Sequence, residues 1–238
     1  MIEIPSMRPE TRYGVPMADQ LLFNREYIVG YSYLLRQPRW AMELIDPDNS
    51  AVEVARTDNF RADLRVPDQW RVDLEDYVAS GFDRGHLISS ADRRAKAISS
   101  SETFLMSNMA PQKPGFNRGI WSRLEKAVRQ LAARDEYLEV YAICGPLFNF
   151  NEPVEKIGDG LAVPHGFFKS VLAETGRGTL KLWTFAIGNH ERPTKELKDC
   201  LKPAAVVERW SGVPLWDKLR GESGDRLKAR RGRMWARN

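Results

Sequence analysis

Gly81-Phe-Asp-Arg-Gly-His86 and Phe116-Asn-Arg-Gly-Ile-Trp-Ser-Arg-Leu-Glu125 are the two most informative stretches of this chain. The first places a histidine beside an arginine, at what we predict to be a glycine-containing turn. The second places the amide of Asn117 eight residues before the carboxylate of Glu125, which is about two turns along one helix face. A base, an anion-binding guanidinium, an amide and a carboxylate are the groups that hydrolysis of a phosphodiester requires. The pattern therefore indicates a metal-dependent hydrolase of phosphodiesters.

His86 has the neighbours best suited to chemistry among the three histidines. A lone histidine is more often structural than catalytic. Here, however, Gly85 lets the backbone approach a ligand closely, and Arg84 offers a planar fork that suits a phosphate. His165 and His190 lie in turn-like contexts, so we expect surface or turn residues at both positions.

The composition is that of a globular protein with a proper core. Of its 238 residues, 42% are hydrophobic and 29% are charged. No run of about eighteen apolar residues predicts a membrane span. Cys144 and Cys200 match neither a disulfide framework nor a cysteine metal site. The N-terminus does not resemble a signal peptide, which predicts a cytoplasmic protein; a secreted or periplasmic protein is the alternative if a leader was removed.

The periodicity of apolar residues predicts an α+β fold, with a central antiparallel sheet and flanking helices. Residues 27–35 and 39–45 resemble a hairpin. Further strands are predicted at 137–145, 167–172 and 180–187, helices at 120–135 and 195–210, and an irregular excursion at 51–80. We expect one domain at residues 1–225, followed by a tail.

The tail, residues 226–238, holds the positive charge of the chain. It carries six cations and no acid, and without them the rest of the chain has 30 basic and 32 acidic residues. Such a tail could grip phosphate backbones, or it could be a frayed, solvated terminus. The sequence leaves both interpretations open.

Three motifs together resemble the DNA/RNA non-specific endonuclease family, the ββα-metal nucleases. They are Asp83-Arg-Gly-His86, Phe104-Leu-Met-Ser-Asn-Met-Ala-Pro-Gln112 and Asn117-Arg-Gly-Ile-Trp-Ser-Arg-Leu-Glu125. The resemblance covers roughly residues 20–190, and the correct order of the motifs makes coincidence remote. It implies that the fold contains the ββα-metal active-site motif.

The resemblance implies a role for each central residue. His86 would be the general base that takes a proton from water as that water attacks phosphorus. Asn117 would be the single protein ligand of a Mg²⁺ ion, or alternatively Mn²⁺, that keeps most of its waters. Glu125 would orient a water of that ion. Alternatively, Glu125 forms an ordinary i,i+4 ion pair with Arg129, a residue that the resemblance also implies to be near the site.

Arginines and a second asparagine complete the implied site. Arg84 and Arg56 would stabilise the pentacoordinate phosphorus, although Arg61 could take the place of Arg56. Asn108 would support the site from behind, or it is a turn residue that bonds its own backbone. Asp83 would support the turn or Arg84 and is not a predicted metal ligand.

The resemblance implies a Mg²⁺-dependent endonuclease of little sequence preference that cleaves DNA and RNA and leaves 5′-phosphate ends. The absence of a recognisable base-reading module agrees with this. The alternatives are a catalytically silent nucleic-acid-binding protein and a phosphodiesterase of small substrates. A homodimer and an inhibitor or activator protein are further expectations, and no membrane partner is expected.

Overall fold

The computed structural model describes residues 8–50, 54–55, 57–192 and 196–235. Its centre is a seven-stranded antiparallel sheet, in the order β1-β2-β3-β6-β9-β10-β11, beside two separate two-stranded sheets, β4-β5 and β7-β8. The strands are β1 (Gln20–Phe23), β2 (Tyr27–Ser32), β3 (Gln37–Leu44), β4 (Asp83–His86), β5 (Met109–Gln112), β6 (Tyr137–Leu147), β7 (Lys156–Ile157), β8 (Leu161–Ala162), β9 (Gly166–Thr175), β10 (Leu180–Gly188) and β11 (Leu201–Lys202).

Within the described residues, four α-helices and one π-helix lie among these strands. They are α1 (Ala97–Glu102), the π-helix Phe116–Trp121, α2 (Ser122–Ala132), α3 (Ala204–Ser211) and α4 (Gly221–Ala229). Short 3-10 helices occupy Pro9–Thr11, Pro47–Ser50, Asp68–Trp70, Glu75–Tyr77, Ser90–Asp92, Met106–Asn108 and Leu197–Cys200. The predicted α+β fold with a central antiparallel sheet is therefore confirmed. No helix in the described ranges has both the length and the apolar character that crossing a membrane needs.

The sheet separates two apolar cores because side chains alternate between its faces. On one face, α2 packs its buried residues Leu124, Val128 and Leu131 against the sheet. On the other face, Val207 of α3 lies in a cluster with Trp40 and Trp216. These two tryptophans are among the largest fully buried side chains. We call these the α2 face and the α3 face.

Most predicted elements are present with shifted ends. The 27–35/39–45 hairpin corresponds to β2 and β3, and the three later strands to β6, β9 and β10. The helix predicted at 120–135 is α2, which a π-helix precedes. The described part of 51–80 contains short 3-10 helices, as expected of an irregular excursion.

The helix predicted at 195–210 is wrong in its first half. The described residues form the 3-10 helix Leu197–Cys200 and then β11, which pairs with β10, before α3 begins at Ala204. The cause is Pro203: a proline disfavours the helical conformation in the residue before it, and it cannot donate a helical hydrogen bond. The helix ends as glycine often ends one, at Gly212 with φ +65°.

The described part of the predicted tail is folded, and the proposed boundary at 225/226 falls inside α4. The Trp235 ring is buried, with its centroid 5.2 Å from that of Trp183. The Trp183 Nε1 donates to the Arg233 carbonyl at 2.7 Å. Residues 226–235 therefore do not form a frayed terminus.

Candidate active site

The Asp83–His86 motif is a strand and not the predicted turn. Its four residues pair antiparallel with Met109–Gln112, and His86 lies opposite Met109. The turn comes earlier, at Gly81, whose φ of +76° favours glycine. A Cβ on Gly85 would lie 2.2 Å from the Gln112 side chain. Gly85 is therefore required by the packing of β4 on β5, and not by the close approach of a ligand that its sequence context suggested.

His86 is held at the end of β4 by aromatic residues on both sides. Its ring centroid lies 5.0 Å from that of Phe104 and 5.6 Å from that of Phe60, both with edge geometry. The Trp121 Nε1 donates to the His86 carbonyl at 3.3 Å, which ties the strand to the helical segment. Trp121 itself is buried in the core, as predicted. Strand pair and helix together form the expected ββα unit around this histidine.

Phe60 is a site residue whose role the sequence did not reveal. It touches the His86 ring and also carries the guanidinium of Arg84, whose central carbon lies 4.3 Å from the Phe60 ring centroid. Arg84 is exposed, so this stacking orients a cation that solvent and ligands can reach. The signal was its place within residues 20–190, the part of the chain that resembles the family.

Of the two candidates for the second phosphate-binding arginine, Arg56 and Arg61, the structure describes Arg61. Arg56 lies outside the described residues. One guanidinium nitrogen of Arg61 donates to the carbonyls of Ser101 and Asn59, at 2.9 and 3.2 Å. Arg61 thus stabilises the local loop, and nothing in these contacts favours it as a replacement for Arg56.

The Asn117 side chain is fixed by Asp83. Its Nδ2 donates to Asp83 Oδ2 at 2.9 Å, which leaves the amide oxygen as the atom that can bind a cation. The other partner of Asp83 is Arg118, with a bidentate contact at 2.7 and 2.9 Å. Asp83 supports Asn117 and Arg118, whereas we had expected it to support the turn or Arg84.

The π-helix aligns Asn117 with Glu125. The Ser122 N–H donates to the Asn117 carbonyl, five residues back. In a regular α-helix, residues eight apart point about 80° away from each other. A π turn takes up one extra residue, so the separation behaves as about seven helical positions, which differ by about 20°. The irregularity therefore brings the amide and the carboxylate closer to one face than an unbroken helix would.

Glu125 lies half-buried above a group of charges on the α2 face. Burial raises its pKa to about 7; Lys169 and Arg129 oppose the rise, while Asp92 and Glu43 add to it. The buried Lys169 was not predicted as a site residue. Its own pKa is lowered by burial but raised on balance by Cys144, Glu43, Glu125 and Asp92.

Arg129 and Asn108 both act through other groups. Arg129 forms an ion pair with Asp92, at 2.8 Å. The ion pair with Glu125, which the sequence offered as an alternative, is thus not the one that the structure records. Asn108 is fully buried, and its side chain bonds the N–H and carbonyl of Ile88 (3.0 and 2.9 Å) and the Thr103 carbonyl (2.9 Å). It thereby holds the backbone two residues after His86, instead of capping its own turn.

The donor set suits a hard cation that keeps its waters. Asn117 offers an amide oxygen and Glu125 a carboxylate, and oxygen is the ligand that Mg²⁺ prefers. No group of three or more His, Cys, Asp or Glu side chains in the described ranges could hold a metal. Cys144 and Cys200 are both buried.

Comparisons with known proteins agree with this geometry. The family model described as DNA/RNA non-specific endonuclease matches residues 5–222. Human mitochondrial endonuclease G is 33% identical over 231 residues, which cover 92% of this chain and 76% of that protein. The mitochondrial nuclease of Saccharomyces cerevisiae is 33% identical over 229 residues, which cover 87% and 69%.

A solved structure is similar over most of its length. A chain in the crystal structure of the EndoG/EndoGI complex superposes with a TM-score of 0.84 at 29% identity, covering 91% of this chain and 94% of that one. Several relatives, from human, yeast and Caenorhabditis elegans, are named mitochondrial. The expectation of a cytoplasmic protein is contradicted by these names.

Proposed function

This chain belongs to the DNA/RNA non-specific endonuclease family and is a metal-dependent nuclease, and from that premise we propose that His86 is its general base and Asn117 its protein ligand for Mg²⁺. One observation carries the proposal. Asp83 and His86 lie on the same four-residue strand, and the Asp83 carboxylate holds the Asn117 amide at 2.9 Å. Base and ligand are thus positioned by one rigid element.

His86 takes a proton from the water that attacks phosphorus in line with the leaving oxygen. The aromatic contacts with Phe60 and Phe104 restrict its ring, so that the imidazole does not have to be ordered when the substrate arrives. Asn108 supports this placement through the backbone of Ile88. Its role is positioning.

Arg84 binds the scissile phosphate. It is exposed, it is stacked on Phe60, and a guanidinium can bond two phosphate oxygens at once. As negative charge accumulates at phosphorus, this contact strengthens and lowers the barrier. Arg56 is proposed for the same role from the family resemblance alone.

Asn117, with Glu125 nearby, would hold the metal. The chemistry that Mg²⁺ supplies when bound is neutralisation of the charge on the phosphate and on the leaving 3′ oxygen, which leaves the 5′-phosphate on the other fragment. Glu125 accepts hydrogen bonds from water and orients it. Arg129 is held near Glu125 by its ion pair with Asp92, and it offsets the charge of the Asp92 and Glu125 carboxylates.

The substrates that we propose are DNA and RNA, cleaved with little sequence preference, since the proposed contacts all address the phosphodiester and none a base. We also propose a homodimer, on the family resemblance. An inhibitor protein is proposed because one solved relative is described as an EndoG/EndoGI complex with a mechanism of inhibition.

The decisive experiment incubates the purified protein with supercoiled plasmid, with Mg²⁺ or with EDTA. Nicking that requires Mg²⁺ is expected, because closed circles have no ends and only an endonuclease can cut them. His86→Ala should lose about 10²- to 10⁴-fold in rate. His190→Ala is the matched control, since that histidine is exposed and has no proposed catalytic role.

Two results would contradict the proposal. One is a plasmid that stays intact with every divalent metal tried. The other is His86→Ala cleaving as fast as His190→Ala. The same cleavage assay, with an RNA of similar length in place of the plasmid, tests the second substrate.

A further inference from the structure

The segment Arg230–Trp235 is docked along an open edge of the sheet. The outer neighbour of β10 is the two-residue strand β11, which pairs only with Thr184 and Phe185. Next to these, Gly232 lies so close that a Cβ would be 2.8 Å from the Leu182 carbonyl oxygen. The segment is anchored by the Trp183–Arg233 hydrogen bond and by the buried ring of Trp235.

This docking places the segment on the same side of the sheet as the active-site helix. Trp235 belongs to the apolar cluster that also contains Leu131 near the end of α2, and Phe185, whose ring centroid is 5.9 Å away. The chain has crossed the sheet edge to reach it, since Leu227 of α4 packs against the cluster on the α3 face. The segment therefore lies near the C-terminal end of α2.

A strongly basic groove forms between the segment and the sheet. Its charged lining consists of five cations and one carboxylate: Arg134, Lys181, Arg230, Arg231, Arg233 and Glu136. Glu136 lies between two of the cations, 3.8 Å from Arg134 and 3.9 Å from Lys181. The three arginines of the segment are exposed. We call this the tail groove.

The distance from the active site fits one substrate strand. α2 extends about 10 Å along its axis from Glu125 to its last residue, Ala132. Two further residues, at most about 7 Å when extended, lead to Arg134, so the separation is about 10 to 17 Å. Each strand of a duplex carries a phosphate about every 3.4 Å of helix axis, so about four base pairs span that distance. The family match ends at residue 222, so residues 230–235 are a feature of this chain beyond that match.

We propose that the tail groove is a second binding site for the phosphate backbone of the nucleic acid, about four base pairs from the cleaved bond. Exposed arginines held by a docked segment are suited to phosphate oxygens, which they can bind in pairs. The groove would make long substrates bind more tightly than short ones. This inference rests on the proposed function, because it assumes a nucleic acid in the active site.

The test measures binding without cleavage. Anisotropy of a labelled 20-base-pair duplex in EDTA, at several salt concentrations, gives the slope of log affinity against log salt. Replacing Arg230, Arg231 and Arg233 together by Gln should reduce that slope by about 2 to 3. The matched control replaces Lys156, Arg177 and Arg209 by Gln, because these are equally charged, exposed and outside the groove. Equal slopes for the two triple variants would overturn the proposal.

A second variant guards against simple undocking of the segment. Lys181→Gln changes the β10 side of the groove, leaves Trp235 and its contacts intact, and should reduce the slope by about 1. Loss of the fluorescence of a buried Trp235 in the triple variant would show that its segment has undocked. If this happens and Lys181→Gln keeps the wild-type slope, the groove is not the binding site.

Cleavage separates this proposal from the proposed function. In Mg²⁺, the triple variant should lose at least about 10-fold more rate on a long duplex than on a dinucleotide, which cannot reach the groove. Equal losses on both substrates would place the effect at the active site and overturn the second site. A wild type that cleaves nothing, yet binds DNA with a groove-dependent slope, would instead overturn the proposed function alone.

Discussion

The α2 face of the sheet buries Lys169 of β9 and Glu43 of β3, whereas the α3 face buries Ser170 and Trp40 of the same two strands and the ring of Trp216. Charges on the α2 face are paired: Glu43 lies 2.9 Å from Arg93. On the α3 face, the buried polar pair Ser170 and Thr184 is neutral and shares a hydrogen bond of 2.8 Å. Buried charge is costly, so its presence on one face needs a reason.

We attribute this buried charge to the proposed active site, which lies above that face. Glu125 and Arg129 extend from α2 toward the sheet. The charges of Lys169 and Asp92 act on Glu125, and the charge of Asp92 acts on Arg129. The α3 face has no such demand among its described residues and is packed with large rings. The comparison implies that changes on the α2 face affect catalysis as well as stability, while changes on the α3 face affect stability alone.

The largest expected effect is that of Lys169→Met. The substitution preserves much of the side-chain volume but removes the buried cation whose charge acts on Glu43, Glu125 and Asp92, so that Arg93 and Arg129 remain to offset these carboxylates. We expect a loss of about 3–5 kcal/mol in the free energy of unfolding, measured by urea denaturation. A loss below about 1 kcal/mol would mean that the amine does not compensate these carboxylates, and the contrast between the faces would disappear.

Glu125→Gln should change the pH dependence of stability. The folded-state pKa of about 7 is above the ordinary value of 4.5. The folded protein therefore holds this proton more tightly than the unfolded chain does. The resulting stability is complete below about pH 4.5 and is lost as the pH rises through about 7.

Glutamine does not titrate. In EDTA, the free energy of unfolding of the variant should therefore rise by about 2–3 kcal/mol relative to that of the wild type between pH 4.5 and pH 8. Urea unfolding at the two pH values measures this. Glu222→Gln, at an exposed position, is the control and should show no such gain. Parallel stability profiles for Glu125→Gln and the wild type would contradict a raised pKa.

Asn117→Ala should weaken metal binding. The Mg²⁺ concentration for half-maximal plasmid cleavage should rise about 10- to 100-fold, the range found when groups around a metal are removed. Asn151→Ala in an exposed loop is the matched control. An unchanged Mg²⁺ requirement would show that Asn117 is not the ligand.

Ser170→Ala should have the smallest effect and no effect on catalysis. The Ser170 hydroxyl bonds Thr184 and accepts from Trp216 Nε1 at 2.9 Å, so its loss leaves buried polar groups unsatisfied at a cost of about 1–2 kcal/mol. Urea denaturation and plasmid cleavage are measured together. A changed cleavage rate or Mg²⁺ requirement would break the distinction between the two faces.

Local pattern predicted much of the fold. The β2–β3 hairpin, the strands β6, β9 and β10 and the helix α2 follow from periodicity because each buries one face against a neighbour. β1 was missed, since its four residues carry too little pattern. Local pattern did not reveal β4, because its residues are polar or glycine and its partner β5 comes more than twenty residues later. The family resemblance alone implied the ββα unit.

The sequence by itself determined the family, the antiparallel α+β fold and the nuclease activity, because the order and spacing of motif residues are written in the chain. Only the tertiary structure decided how these residues act together. The π turn that aligns Asn117 with Glu125, the Phe60 support for Arg84 and His86, and the charges below Glu125 all depend on contacts between distant segments. Packing and burial select such contacts, and a local pattern does not encode them.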